Sequence, residues 1–404
     1  MADLDGKKYD YVIVGGGVAA AAAVGGIREI DESGSILVLG AEPDGPVYRP
    51  DLSKKLWLDK DATLDGTQLL DGQQADLQTN SPVTAIDPDA HTVTVQGGAT
   101  ITYGKLLLAT GSTPRMLDLP DSDRVIYYRT AADYRRLRDL AGRDTAGTVV
   151  TAVGGGYIGA EIASALTQND AKVTMIFDEE LVQQRIFPPS IAQLITKDFT
   201  DRGVRLLTRE QVADGTLTGD TVAIQVGDGT SVEAGVVVVG IGVTPRVELA
   251  EAAGLTTDNG IVVDDHLRTS AADVYAAGDV ASYDDALLGR RRVEHVDNAE
   301  AMGKKAGRNL AGADEVYDYT PIFWSDLFDN GYEAVGDLDS RLDTVEDWND
   351  AHTAAVVYYL RDDVVRGVLL WNVWDSTGKA REVIAKSRDG KLGRDELVGT
   401  IPAG

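Results

Sequence analysis

Tyr11-Val12-Ile13-Val14-Gly15-Gly16-Gly17-Val18-Ala19-Ala20 decides the fold: four residues of an apolar strand run directly into a glycine turn and then into an alanine-rich helical stretch. The glycines permit a tight turn and let backbone approach a pyrophosphate, whose charge meets the free N–H groups at the helix N-terminus. The same pattern returns 139 residues later, where the strand at 149–153 leads into Gly154-Gly155-Gly156-Tyr157-Ile158-Gly159. Two such turns predict two bound nucleotides and electron transfer between them. The chain has no cysteine, which excludes a C-x-x-C redox pair, thiolate-held iron–sulfur clusters and disulfides.

At 404 residues the chain has length for two or three domains, each with a core of its own. Apolar residues make up 43% of it, but no apolar run is long enough for a membrane span. The polar start of the chain does not read as a targeting peptide, so the expected location is cytoplasmic. The net charge of -27 argues against nucleic acid and anionic membranes as partners. The acidity is compatible with a salt-rich cytoplasm or simply with a well-solvated surface.

Beyond the first glycine turn comes the apolar strand at 36–39, followed by Glu42, an acid placed to accept from the adenosine ribose hydroxyls. Residues 93–114 are β-rich and end in Ala109-Thr110-Gly111-Ser112-Thr113-Pro114-Arg115. After the second turn the strand at 173–177 closes on Asp178, Glu179 and Glu180, which suit the free ribose hydroxyls of NADH and repel the 2′-phosphate of NADPH. A strand at 236–239 leads into Gly240-Ile241-Gly242-Val243-Thr244-Pro245-Arg246, and Val274-Tyr275-Ala276-Ala277-Gly278-Asp279 sets Asp279 at a strand end, placed for the ribityl chain of a flavin. The tail after about residue 320 holds four of the five tryptophans. In it, strands at 354–360 and 364–370 flank Arg361-Asp362-Asp363 as a hairpin, and 379–386 reads as a helix.

The expected fold class is α/β, with two Rossmann-like dinucleotide-binding domains, the NAD domain nested within a split FAD domain, and a small C-terminal α+β domain. The expected boundaries are 1–118 for the first FAD-binding segment, 119–245 for the NADH-binding domain, 246–320 for the second FAD-binding segment and 321–404 for the tail domain. Two consecutive Rossmann domains are the alternative, but they leave Asp279 no reason to lie beside the first nucleotide.

In this order the motifs resemble those of two-dinucleotide-binding flavoprotein reductases. Tyr48-Arg49-Pro50-Asp51-Leu52-Ser53-Lys54-Lys55-Leu56-Trp57, Arg290-Arg291-Arg292-Val293-Glu294-His295, Phe323-Trp324-Ser325-Asp326-Leu327, Gly331-Tyr332-Glu333 and Leu370-Trp371-Asn372 are similar to the apoptosis-inducing factor family of FAD-dependent NADH oxidoreductases. The likeness runs from about residue 9 to 388. It implies FAD contacts from Gly15, Gly17 and Ala20 of the first loop and from Glu42, Arg49, Lys54, Val83, Arg115, Asp279 and His295. It implies NADH contacts from Gly154, Gly155, Gly156, Tyr157, Ile158 and Gly159, and from Glu161, Glu179, Arg185, Gly242, Glu294, Trp324, Glu333 and Asn372. Lys54, paired with Glu161, is expected at flavin N5, Tyr157 as a movable cover over the flavin, and Trp324 as a wall of the nicotinamide pocket. Three departures accompany the likeness. The family's tandem histidine reads His295-Val296 here, Arg185 replaces a lysine, and the tail insertion of the animal proteins is absent between Arg341 and Thr353. The cell-death role is not carried over.

The resemblance implies an enzyme in which NADH reduces FAD and the electrons pass to a quinone, dioxygen or a small redox protein, a ferredoxin or rubredoxin reductase being the nearest variant. For an acidic ferredoxin, Arg290, Arg291 and Arg292 are the evident basic dock. The other class is an NADH-responsive redox sensor or binding protein, whose long-lived reduced complex controls formation of a homodimer. A self-contained disulfide reductase is excluded by the absence of cysteine.

Overall fold

The computed structural model describes residues 4–70, 74–142, 145–227 and 229–403, and the chain forms two compact units. The first comprises Met1–Arg49, Leu64–Thr113 and Thr244–Pro321; the second comprises Pro50–Thr63, Pro114–Val243 and Ile322–Gly404. The chain thus leaves the first unit and returns to it, a nested α/β arrangement. Residues 50–63 and the tail after Ile322 both fold with the second unit.

In the first unit the strand Lys8–Val14 pairs in parallel with Ile36–Leu39 on one side and Thr100–Leu108 on the other. Asp76–Gln78 continues the parallel set beyond Ile36–Leu39, and Val274–Ala276 adds to the end of Thr100–Leu108. The start of that long strand pairs antiparallel with Thr92–Val95, which pairs antiparallel with Val83–Asp87. Val12, Ile13, Leu37, Val38, Leu106, Leu107 and Leu108 are fully buried, as continuous apolar runs must be when both faces of a parallel sheet are covered.

The helix that follows the first glycine turn, Val18–Arg28, is crossed closely by Val296–Leu310. A Cβ on Gly303 would lie 2.3 Å from the carbonyl oxygen of Ala19, and one on Gly307 would lie 2.1 Å from that of Ala23. Small residues four apart on both helices let the backbones touch, so the glycine turn is buttressed from behind.

In the second unit five parallel strands run in the order Arg205–Thr208, Lys172–Phe177, Val149–Val153, Val236–Val239, Val125–Tyr127. The second glycine turn leaves the C-terminal end of the central strand, Val149–Val153. A three-stranded antiparallel sheet of Val212–Thr218, Thr221–Val226 and Ser231–Ala234 accompanies them.

The tail is a five-stranded antiparallel sheet ordered Ile322–Leu327, Asn330–Gly336, Val364–Trp371, Ala355–Arg361, Asp343–Trp348. In its hairpin Arg361 is the last strand residue, facing Val364. Asp362 and Asp363 alone make the turn, with φ of 53° and 60°, the two left-handed residues that a type I′ turn requires. The helix Thr377–Arg388 buries Ala380, Val383, Ile384 and Ser387, and extends about half a turn beyond the expected 379–386 at each end. Among the described residues no helix is long and apolar enough to cross a membrane.

Candidate active site

The first glycine turn has the shape a diphosphate needs. Gly15 sits at φ 131°, and a Cβ there would lie 2.0 Å from the carbonyl oxygen of Ala109, so no side chain fits. At Gly17, the N-cap of Val18–Arg28, a Cβ would meet nothing closer than Arg49 Nη2 at 4.0 Å. The helix has no side-chain cap and no acid in its first turn, leaving its N–H groups and positive end for an anion. Ala20 is fully buried in that first turn. Arg49 Nη2 donates to Glu42 Oε1 at 2.6 Å, so Glu42 and the cation beside the loop form one unit. Val83 begins the strand Val83–Asp87 at the far edge of the same sheet.

Asp279 follows Val274–Ala276 in a short 3-10 turn, and its carbonyl oxygen accepts from Arg292 Nη1 at 3.0 Å. Arg292 also donates to Glu294 at 2.5 Å. His295 caps the helix Val296–Leu310. Burial pushes its pKa down to about 4, against the pull of Asp279 and helped by Arg291, so near neutral pH it carries no charge. Arg290 is exposed while its Nη1 donates to the carbonyls of Ser282 at 2.8 Å and Val263 at 3.3 Å, and Nε and Nη1 of Arg291 are enclosed.

The second glycine turn repeats the first. A Cβ on Gly154, at φ 113°, would lie 2.4 Å from the carbonyl oxygen of Gly240; one on Gly159 would lie 2.0 Å from that of Gly154; and one on Gly156, the N-cap, meets nothing within 4 Å. Gly155 packs against the ring of Phe177, and Ile158 is exposed. At the end of Lys172–Phe177, Arg185 forms ion pairs with Asp178, at 2.7 Å, and with Glu179. Burial, then Asp178, raises the Glu179 carboxyl above its ordinary range. Gly242 accepts through its carbonyl from the Arg115 amide at 2.9 Å.

Lys54 Nζ donates to Glu161 Oε1 at 2.7 Å, with side chains 17% and 7% exposed. The same carboxylate also accepts from Ser53 Oγ at 2.5 Å and Ser325 Oγ at 2.6 Å. The Lys54 segment is anchored by the Leu52 carbonyl, which accepts from Tyr128 Oη at 2.6 Å and Trp57 Nε1 at 2.9 Å; Arg138 lies over the Trp57 ring at 4.4 Å. Ser53 and Ser325 were not singled out from sequence. Ser325 is 164 residues from Glu161, and although it lies in the quoted stretch 323–327, nothing in that stretch marks it as a partner of this carboxylate.

Tyr157 begins the helix Tyr157–Thr167, with its ring edge-on to Phe323 at 5.9 Å. Trp324 and Glu333 face each other across the ladder of the tail sheet. Burial, then Asp375, raises the Glu333 carboxyl, whose Oε2 is enclosed without a hydrogen-bond partner. That acceptor suits an amide N–H from a bound molecule. Asn372 spends its side chain within the fold: Oδ1 accepts from the Gly331 amide at 2.9 Å, and Nδ2 donates to Thr353 O at 2.8 Å and Asn330 Oδ1 at 3.0 Å.

Two glycine cradles, each backed by a parallel sheet, define a flavoprotein reductase that binds two dinucleotides. Residues 9–303 match the model of the pyridine nucleotide-disulphide oxidoreductases, and 306–354 and 346–386 match that of the C-terminal domain of mitochondrion-associated apoptosis-inducing factor. The chain belongs to the pyridine nucleotide-disulphide oxidoreductase family. It is 34% identical to apoptosis-inducing factor 1, mitochondrial, of Dictyostelium discoideum, over 96% of this chain and 80% of that protein. It is 37% identical to the ferredoxin–NAD(+) reductase component of the anthranilate 1,2-dioxygenase system of Burkholderia cepacia, over 93% of this chain and 94% of that one. Among solved structures it is similar to a chain of the covalent putidaredoxin reductase–putidaredoxin complex, with a TM-score of 0.84 and 30% identity over 96% of this chain and 94% of that one. The protein is an FAD-dependent NADH oxidoreductase, and its cofactors are FAD and NADH. The disulfide chemistry in the family's name has no thiol here to carry it.

Proposed function

We propose that this reductase passes electrons from NADH through FAD to a small redox protein, with the first unit holding FAD and the second holding NADH. The observation that carries the division of labour is the pair of glycine cradles, each opening onto a helix N-terminus with no acid in its first turn. FAD, when bound, accepts a hydride and releases electrons one at a time. The protein's part is to position, desolvate and set charge.

In this reading Gly15 and Gly17 admit the FAD diphosphate, Glu42 and Asp279 receive hydroxyl groups, and neutral His295 offers a hydrogen bond without charge. Gly154, Gly156 and Gly159 admit the NADH diphosphate, Glu179 receives its ribose, and the enclosed Glu333 oxygen accepts from the carboxamide. Tyr157 and Trp324 exclude water from the nicotinamide. Lys54, its ammonium fixed by Glu161, supplies the positive charge that favours the anionic reduced flavin.

Lack of cysteine removes thiol acceptors within the chain, and the similarity to two reductases of redox proteins supports a protein acceptor over a quinone or dioxygen. The Lys54→Ala variant tests the site. It is expected to retain FAD while its flavin is reduced by NADH at least ~10-fold more slowly, a loss of about 1.4 kcal/mol of transition-state stabilisation. An unchanged stopped-flow rate overturns the role given to Lys54.

A further inference from the structure

The side chain of Ser325 has a single proton, and it is spent on Glu161 Oε1 at 2.6 Å, so any further polar group that this oxygen binds must donate to it. Directly opposite Ser325 in the tail sheet, on the paired strands Ile322–Leu327 and Asn330–Gly336, stands Tyr332. Its side chain is fully buried, with Phe187 edge-on at 5.0 Å, Phe323 edge-on at 6.3 Å and Trp371 stacked at 6.4 Å between ring centroids. Burial lifts the pKa of the hydroxyl well above its ordinary value, so it keeps its proton and stays a donor. Ser325 and Gln183 lie beside that hydroxyl, yet no hydrogen bond is closed to either.

Gln183 is the second unspent group. It is 3% exposed, and both Oε1 and Nε2 are enclosed without a hydrogen-bond partner. Its backbone is left-handed, at φ 57°, a conformation that favours glycine. Its amide donates to the carbonyl of Gly155, within the second glycine turn, at 2.9 Å, and its own carbonyl accepts from Ile186 at 2.9 Å and Phe187 at 3.1 Å. Backbone strain and an unspent buried amide thus fall on one residue fastened to the nucleotide cradle. Packing alone favours methionine at 183 and phenylalanine at 332, because a buried polar group left unbonded costs stability. Residues that keep such strain cluster at functional sites. The one order in which the donors fit runs from Gln183 Nε2 to Tyr332 Oη, from Tyr332 to Ser325 Oγ, and from Ser325 to Glu161, whose carboxylate holds Lys54.

We propose that Gln183 and Tyr332 are positioning residues: when a nucleotide diphosphate settles on the turn at 154–159, Gln183 moves with Gly155, the two open bonds close, and the completed line of donors fixes Glu161 and, through it, the Lys54 ammonium. This rests on the reading that the second glycine turn holds NADH and that Lys54 favours the reduced flavin. All the groups of the relay belong to the second unit. Hydrogen bonds in a chain polarise one another, and those that end on a carboxylate are the strong ones, so a change at Tyr332 is felt at Glu161. Linkage makes the effect reciprocal: an occupied turn favours reduced flavin, and reduced flavin tightens the hold on the nucleotide.

The test uses holoprotein and ADP-ribose, which carries the diphosphate without the nicotinamide. Affinity is measured by calorimetry on the oxidised protein and, without air, on the dithionite-reduced protein. The parent should bind ADP-ribose at least ~5-fold more tightly when reduced. In Tyr332→Phe, which loses only a hydroxyl, and in Gln183→Met, which loses only the amide, that preference should shrink to within about twofold. In stopped flow at saturating NADH the flavin of both variants should be reduced at least ~5-fold more slowly, with the Kd for NADH within about twofold of the parent's. Urea midpoints should stay at or above the parent's, since each substitution removes a buried polar group that is unbonded in the resting fold. A merely structural role would lower the midpoint and leave the redox preference intact, and that result overturns the proposal. So does a parent that binds ADP-ribose equally in both redox states, a measurement that depends on no variant. Lys54→Ala run alongside separates the two claims: reduction as fast as the parent's overturns the underlying reading, whereas a slow Lys54→Ala beside parent-like Tyr332→Phe and Gln183→Met removes only the relay.

Discussion

Replacing Glu161 with glutamine keeps the size of the side chain and removes the charge on which three donors converge. In the native protein Ser53, Ser325 and Lys54 all donate to a carboxylate that is 7% exposed. Hydrogen bonds to a charged group contribute roughly 1.5–3 kcal/mol and neutral ones roughly 0.5–1.5. Loss of charge assistance at three bonds therefore costs about 3 kcal/mol, consistent with the ~3–5 kcal/mol for breaking a buried ion pair. All five tryptophans, Trp57, Trp324, Trp348, Trp371 and Trp374, belong to the second unit, so their fluorescence reports its unfolding. Urea titration should show a midpoint lowered by the equivalent of about 3 kcal/mol with an unchanged slope. The double variant Lys54→Met/Glu161→Gln should recover much of the loss, because no cation is then left without its counter-charge. A Glu161→Gln protein within about 0.5 kcal/mol of the parent would show that the three donors do not depend on the carboxylate charge, and would refute this reasoning.

Two further predictions concern cofactor choice and pH. Glu179→Ala removes the acid at the proposed ribose position and frees Arg185 from one of its two ion pairs, so the preference for NADH over NADPH in kcat/KM should narrow by roughly tenfold, about 1.4 kcal/mol; an unaltered ratio moves the ribose contact elsewhere. His295 has its pKa lowered to about 4, so between that value and the ordinary 6.5 the unfolded chain binds the extra proton and the folded protein does not. Its contribution to stability is present above pH 6.5 and is lost as pH falls toward 4. Denaturation midpoints measured across this window should fall less steeply in His295→Gln than in the parent, and parallel curves would contradict the assignment.

The fold was legible because backbone demands show in residue types. Gly15 and Gly154 are glycine where a Cβ would strike a carbonyl oxygen, and the strands before them are uninterrupted apolar runs because parallel sheets are covered on both faces. The turn at Asp362-Asp363 was found from the strands around it, although its left-handed conformation is written there by two aspartates instead of glycine. What was not legible depends on long-range contact. Ser53 and Ser325 matter through a carboxylate more than a hundred residues away in sequence. The tract at 290–292 gave no sign in sequence that Arg290 and Arg292 also hydrogen-bond to backbone carbonyls and Glu294.

The central claim is that NADH reduces FAD held by this chain. An anaerobic titration of the purified flavoprotein with NADH, followed by its visible spectrum, tests it most directly. The account predicts that about one equivalent of NADH bleaches the flavin, since one hydride carries both electrons the flavin takes up. A flavin spectrum that stays unchanged in excess NADH, on protein shown to retain its FAD, would contradict it.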